Sequence, residues 1–135
     1  MKAAKRQFLV KIDGIDGYWG KKTGAEIKAA TNKVYDGGSL VPDVIAAPAQ
    51  VDDIVVTRPF DPERDQAMIN LLKRKVGQWT TTVSVSPTEA DLTVSNVAGD
   101  TYPNALLIAL TPPEADASSG DAAEVVLTFS VGSVA

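Results

Sequence analysis

The sequence predicts a mainly β (α+β) single domain, a β-sandwich or small barrel with one flanking α-helix. Three observations carry this. Four segments alternate apolar and polar residues with period two, which marks half-buried, mostly antiparallel strands. One segment repeats its apolar residues at helical spacing between recognisable caps. The chain has 135 residues, 44% hydrophobic and 22% charged, a globular balance at a length that fits one domain spanning residues 1-135. No internal repeat is visible.

The first strand is written by Phe8, Val10 and Ile12, which alternate with Lys11 and Asp13 and stop at Gly14. Gly14 to Gly24 then holds four glycines around Tyr18 and Trp19. Aromatic side chains on a glycine-rich loop suit an interface better than a solvated tip, so Tyr18 and Trp19 are candidate interface aromatics. Ala25–Tyr35 and Asp53–Arg58 are weaker strand candidates.

Between them, Asp36–Gln50 contains Gly37-Gly38, Pro42 and Pro48 and reads as a loop. It also carries Leu40, Val41, Val44 and Ile45. A structureless connection of about fifteen residues is uncommon and usually functional, and exposing that many apolar side chains leaves a sticky patch. Two readings stay open: both loops fold back over the chain's own core, or they are arms that dock on neighbouring copies. In the second, Leu40, Val41, Val44 and Ile45 make the contact, each contributing on the order of 1.5–3 kcal/mol if buried.

The helix begins at Asp61, a suitable cap, with Pro62 at the first helical position and Glu63 and Asp65 near the positive end of the dipole. Met68, Leu71, Leu72 and Val76 form its apolar stripe, Lys73-Arg74-Lys75 stand at the negative end, and Gly77 terminates it. Trp79, Thr81, Val83 and Val85 share one face of the next strand, which ends at Pro87. Leu92 and Val94 alternate with Asp91, Thr93 and Ser95. Ala105–Leu110 is apolar on both faces, which predicts cover on both sides. Val125, Leu127, Phe129 and Val131 close the series.

The outward faces of these strands carry Thr, Ser, Ala and Val more often than Lys or Glu, and such faces and edges invite pairing between chains. Charge is also unevenly placed. All 13 basic residues lie between Lys2 and Lys75, alongside ten acids, whereas Val76–Ala135 holds seven acids and no base. The two parts therefore carry +3 and −7, within a net charge of −4. A particle that presents opposite signs to different neighbours fits this split, as does a chance division of a solvated surface. An acidic chain is poorly suited to gripping phosphates.

Chemistry is scarce. With no His and no Cys, thiolate nucleophiles, most zinc sites and the neutral-pH proton shuttle are excluded. Asp52 and Asp53 are adjacent and would point to opposite faces of a strand. Glu114, Asp116 and Asp121 lie in a Pro- and Gly-containing loop without the EF-hand spacing. The glycines of residues 14–20 lack the order of a phosphate loop. No catalytic residue, metal ligand or cofactor is expected. The apolar run Ala105–Leu110 falls short of the ~20 residues that span a bilayer, and Met1–Lys5 is not followed by a signal-peptide core, so synthesis and retention in the cytoplasm are expected.

The order of elements resembles that of tail-tube proteins of phages and related contractile injection systems, including the type VI secretion tube. The matching places are Phe8–Gly14, Val34-Tyr35-Asp36-Gly37-Gly38, Ile54–Arg58, the helix from Asp61, the strand at Trp79, Pro103-Asn104-Ala105 and the closing strand Glu124–Val131. The chain is shorter than many such subunits, and Pro103-Asn104-Ala105 only loosely echoes the family's segment there. The resemblance implies a virion tail subunit, assembled in the host cytoplasm, that forms hexameric rings stacked into a hollow tube. Each copy would lend strands to a larger inter-subunit β-barrel, and the Asp36–Gln50 loop would reach the adjacent ring. Implied partners are further copies of the chain, tape-measure, baseplate or initiator and tail-terminator proteins, and a sheath in contractile forms. DNA or another payload would pass without specific binding, and the subunit would not bind membrane. Glu26, Asp53 and Asp91, acids on expected strands, would face the lumen and repel phosphates. The alternative from another class is a monomeric β-sandwich carbohydrate-binding or adhesin-type module, stacking sugars on Tyr18, Trp19 and Tyr102.

Overall fold

The computed structural model describes residues 2, 4–35, 37–38, 40–88 and 99–134. The strand expected at Leu92–Val94, and Asp91 with it, lies outside the described residues. Strand β1 (Phe8–Ile12) is followed by β2 (Tyr18–Trp19), β3 (Lys21–Gly24), β4 (Ile27–Lys28) and β5 (Thr31–Val34), then by β6 (Asp43–Ala46), β7 (Gln50–Val51) and β8 (Ile54–Pro59). Helix α1 (Pro62–Leu72) leads into β9 (Thr80–Pro87), β10 (Asp100–Thr111) and β11 (Glu124–Ser130).

Seven strands form one sheet in the order β2-β1-β9-β10-β11-β8-β3, every pairing antiparallel. Its two edges, β2 and β3, are separated only by Gly20. They are one stretch of chain that pairs with β1 at its start and with β8 at its end, so the sheet closes on itself as a barrel and has no free edge there. Alternation along each strand fills the interior. Val10, Ile12, Ile54, Val56, Val83, Leu107, Val125, Leu127 and Phe129 are each at most 4% exposed. The long strand β10 serves two neighbours, β9 with its first half and β11 with its second. It turns between them at a register shift between Tyr102 and Ala105, where Pro103 donates no hydrogen bond and Asn104 adopts a left-handed φ of 55°.

Ala105–Leu110 proves to be part of β10 and is covered on one side only. Ala105 and Leu107 are fully buried, whereas Ile108 on the other face is 38% exposed.

Helix α1 starts as its sequence dictates. The Asp61 side chain accepts from the Glu63 N–H at 3.2 Å, and Pro62 opens the first turn. The end differs from expectation. The helix stops at Leu72 with Lys73 as its cap residue, and no basic residue lies in its last turn. Its buried residues are Asp65, Ile69 and Leu72, while Leu71 is 65% exposed. The inward stripe is thus rotated from the Met68–Leu71–Leu72–Val76 pattern, because a carboxylate, not an apolar side chain, occupies its first position.

The remaining strands form a second object. β4 pairs with β7 and β5 with β6, both antiparallel, as continuations of the β3–β8 pair. Together they make a two-stranded ribbon that leaves the barrel where β3 ends and β8 begins. Asp36–Gln50 is therefore not a structureless loop. Its second half is strand β6 and the start of β7.

Candidate assembly surfaces

The ribbon is where the sequence placed its candidate contact residues, and its exposure is nearly complete. Leu40 is 96% exposed, Val41 77%, Val44 61% and Ile45 57%. Cross-strand pairs share a face. Val34 opposite Asp43 and Asn32 opposite Ile45 therefore occupy one side, and Lys33 opposite Val44 the other. Apolar side chains project from both sides, and among the described residues no further strand or helix lies against either side. A lone two-stranded ribbon is marginally stable in water, so a partner surface is what such a ribbon lacks.

Its root is closely built. Gly24 (φ +88°) and Ala25 (φ 64°) both adopt left-handed conformations. A Cβ on Gly24 would lie 2.0 Å from the Asp53 carbonyl oxygen. That contact excludes any side chain there. The Ala25 N–H donates to Asp53 O at 3.2 Å, Asp52 N–H donates to Glu26 O at 2.9 Å, and Lys28 pairs with Asp52 at 3.2 Å. Glu26 and Asp53, expected on strands, sit in this irregular step, both exposed.

The glycine-rich loop has a different fate from the one its composition predicts. Tyr18 is 55% exposed, but Trp19 is 2% exposed and packs under Arg58, whose guanidinium carbon lies 4.3 Å from its ring centroid. Trp19 therefore belongs to the core. Tyr102 is buried as well, 3% exposed, so the sugar-stacking platform of Tyr18, Trp19 and Tyr102 is not formed.

Arg58 is the centre of a clamp that residue patterns alone did not bring out. It is 2% exposed, donates through Nη1 to the Asp16 carbonyl at 2.7 Å and through Nη2 to Asp65, which is fully buried. Asp65 also accepts from Arg64 Nε at 3.0 Å and from the Asp61 N–H at 3.0 Å. Burial alone would raise the Asp65 carboxyl. The hydrogen bonds from Arg64 and the Asp61 N–H, with the charges of Arg58 and Arg64, outweigh it and hold the carboxyl below its ordinary value. The signal was present: Arg58 continues the inward series Ile54, Val56, and Asp65 continues Ile69, Leu72 backwards at helical spacing.

The clamp fastens α1, the glycine loop and β8 together, and offers no nucleophile. Among the described residues no group of three or more metal-ligating acids comes together, and no helix is long and apolar enough to cross a membrane.

No family model matches the sequence, and no curated protein does. Solved structures do match the fold. A chain of the sheath–tube complex of PVC, an extracellular contractile injection system, in its extended state superposes with a TM-score of 0.79 at 19% identity, covering 99% of this chain and 90% of that one. A chain of the PVC sheath/tube terminator gives 0.82 at 18% identity, covering 100% and 96%. The chain has the tube-protein fold. A chain of the anti-feeding prophage tube-terminating cap agrees, with a TM-score of 0.80 at 17% identity, covering 100% of this chain and 90% of that one. A tube-protein fold over the whole length includes the ribbon as well as the barrel.

Proposed function

We propose that this chain is a non-enzymatic structural subunit that self-assembles, through its ribbon, into stacked rings forming the hollow tube of a phage-like tail or injection particle. The observation that carries this reading is the ribbon: a long apolar arm, exposed on both faces, on a barrel whose fold is that of tube and tube-terminator proteins. The rings are hexameric in this reading, each copy lending strands to a shared inner barrel through which DNA or another payload passes. The partly exposed outer face of β10 and the small residues of β9 are then covered by neighbouring copies. Terminator, baseplate and tape-measure proteins would meet the tube's ends and interior, and a sheath its outside.

Four arm side chains buried at a contact would each contribute on the order of 1.5–3 kcal/mol, enough to order the ribbon on a neighbour that is already rigid. Negative-stain microscopy of the purified chain, with and without preformed seeds, tests this. Wild-type protein should give rings or tubes. The Val44→Asp, Ile45→Asp double variant should remain as subunits or single rings with an unchanged melting curve. Full-length tubes from that variant, or a wild-type protein that stays monomeric even when seeded, would reject the reading.

A further inference from the structure

The ribbon has two faces, and strand register assigns its side chains to them. In an antiparallel pair, residues directly opposite each other project to the same side, and successive pairs alternate sides. Val34 with Asp43 and Asn32 with Ile45 therefore share one face, while Lys33 with Val44 and Thr31 with Ala46 share the other. All eight are exposed. Each face combines apolar side chains with one charge, and the two charges are opposite: Asp43 on the first, Lys33 on the second. Among the described residues the ion pairs are Lys28–Asp52, Arg58–Asp65 and Arg64–Asp65, so neither Asp43 nor Lys33 has a counter-charge there.

The two faces complement each other, yet they cannot meet within one chain, because the same two strands stand between them. A second ribbon supplies what each face lacks. We infer that the ribbons of neighbouring copies stack face to face, the Asp43 face of one on the Lys33 face of the next. Val34 and Ile45 then lie against Val44 and Ala46 of the neighbour, in an apolar layer between two sheets about 10 Å apart. Asp43 of one copy faces Lys33 of the other. A lone two-stranded ribbon is marginal in water, and the stack gives it the second layer it lacks.

Charge decides which faces meet. Stacking identical faces by two-fold symmetry would end at a dimer, and it would set Asp43 against Asp43 or Lys33 against Lys33, which is penalised. Stacking different faces brings opposite charges together and leaves each new ribbon with one face open. Such a head-to-tail series continues until its rotation closes a ring. The inference rests on the tube reading and names the surface that the ribbon meets: the other face of a second ribbon, not a neighbour's barrel.

Three full-length variants test it: Lys33→Asp, Asp43→Lys, and the two changes together. All alter exposed ribbon side chains, and melting curves check that the barrel still folds. Lys33→Asp makes both faces acidic, and Asp43→Lys makes both basic. Either change alone should raise the protein concentration at which rings or tubes sediment by about tenfold or more. The double variant carries opposite charges again, with the faces exchanged, and should assemble like wild type. An equal mixture of the two single variants should do the same, because copies in alternation restore every opposite-charge contact. A pair within one chain cannot produce that rescue, since the two positions lie on opposite faces. A single variant that assembles as readily as wild type overturns the stack and leaves the tube reading in place. So does a double variant no better than the single ones, or a mixture that stays unassembled. A wild-type chain that never assembles removes the tube reading itself, and the stack with it.

Discussion

Strands β8 and β6 are built from similar residues yet end in opposite circumstances. In β8, Ile54 and Val56 are completely buried, with Phe129 and Leu127 opposite them on β11. In β6, Val44 and Ile45 are 61% and 57% exposed, on a strand paired only with β5 among the described residues. Both are paired antiparallel strands, β8 on two sides and β6 on one, so the presence of pairing does not separate them. The difference lies in the third dimension: the barrel curls round to cover its own apolar face, and the ribbon, diverted at Gly24–Ala25, never returns. Strand propensity and apolar content therefore do not make a core unless topology supplies a second layer. Where topology withholds one, the same residues become a surface for another molecule.

The barrel's dependence on internal contacts gives the largest expected effect. Asp65→Asn keeps the shape of the side chain but leaves Arg58 buried without a counter-charge, and should cost roughly 3–5 kcal/mol in urea unfolding. The pH response follows from the same carboxyl. Its value is held below the ordinary range in the folded state, so its contribution is complete above about pH 4 and is lost as the pH falls through the folded value. Wild-type stability should drop on acidification in that window, and the variant should lose that component of the slope. A variant as stable as wild type would mean that the clamp does not hold the helix to the barrel.

A smaller effect is expected at the junction of the two regions. Gly24→Ala places a methyl group 2.0 Å from the Asp53 carbonyl oxygen at a φ of +88°, and relief of that overlap requires the ribbon root to shift. A loss of about 1–3 kcal/mol is expected, with faster amide exchange confined to residues 25–53. A loss as large as that of Asp65→Asn, with exchange quickened throughout, would show that barrel and ribbon unfold as one unit.

Much of this division was legible in the residues. Period two located β1, β9 and β11, Asp53–Arg58 marked β8 only as a weaker candidate, and the Asp61-Pro62 signal located the start of α1, because each pattern is local and is read against a single covered face. The ribbon was less legible. Gly37-Gly38, Pro42 and Pro48 read as breakers, but Pro42 precedes β6 and Pro48 falls between β6 and β7, so a paired strand was taken for loop. Burial of Trp19 depended on a contact with Arg58, 39 residues away, which no local window contains, whereas the Arg58–Asp65 pair joins a strand to a helix across seven residues and shows only when the two periodicities are read together. The apolar character of residues 40–45 left two readings open, cover by the chain's own core or by another copy, and the exposure of Leu40, Val41, Val44 and Ile45 bears on the first alone.

The smallest expected effect sharpens the contrast most. Leu40→Ser combined with Ile45→Ser removes two large apolar side chains, a change that in a core would cost several kcal/mol. In the isolated subunit neither residue is covered, so thermal and urea unfolding should move by no more than about 0.5 kcal/mol. Amides of β5 and β6 should exchange rapidly in both proteins, since the ribbon lacks a second layer in either. A destabilisation above about 2 kcal/mol would instead mean that the ribbon packs against its own barrel in solution. The barrel and ribbon would then be one core, and the apolar arm would no longer be free to meet another copy.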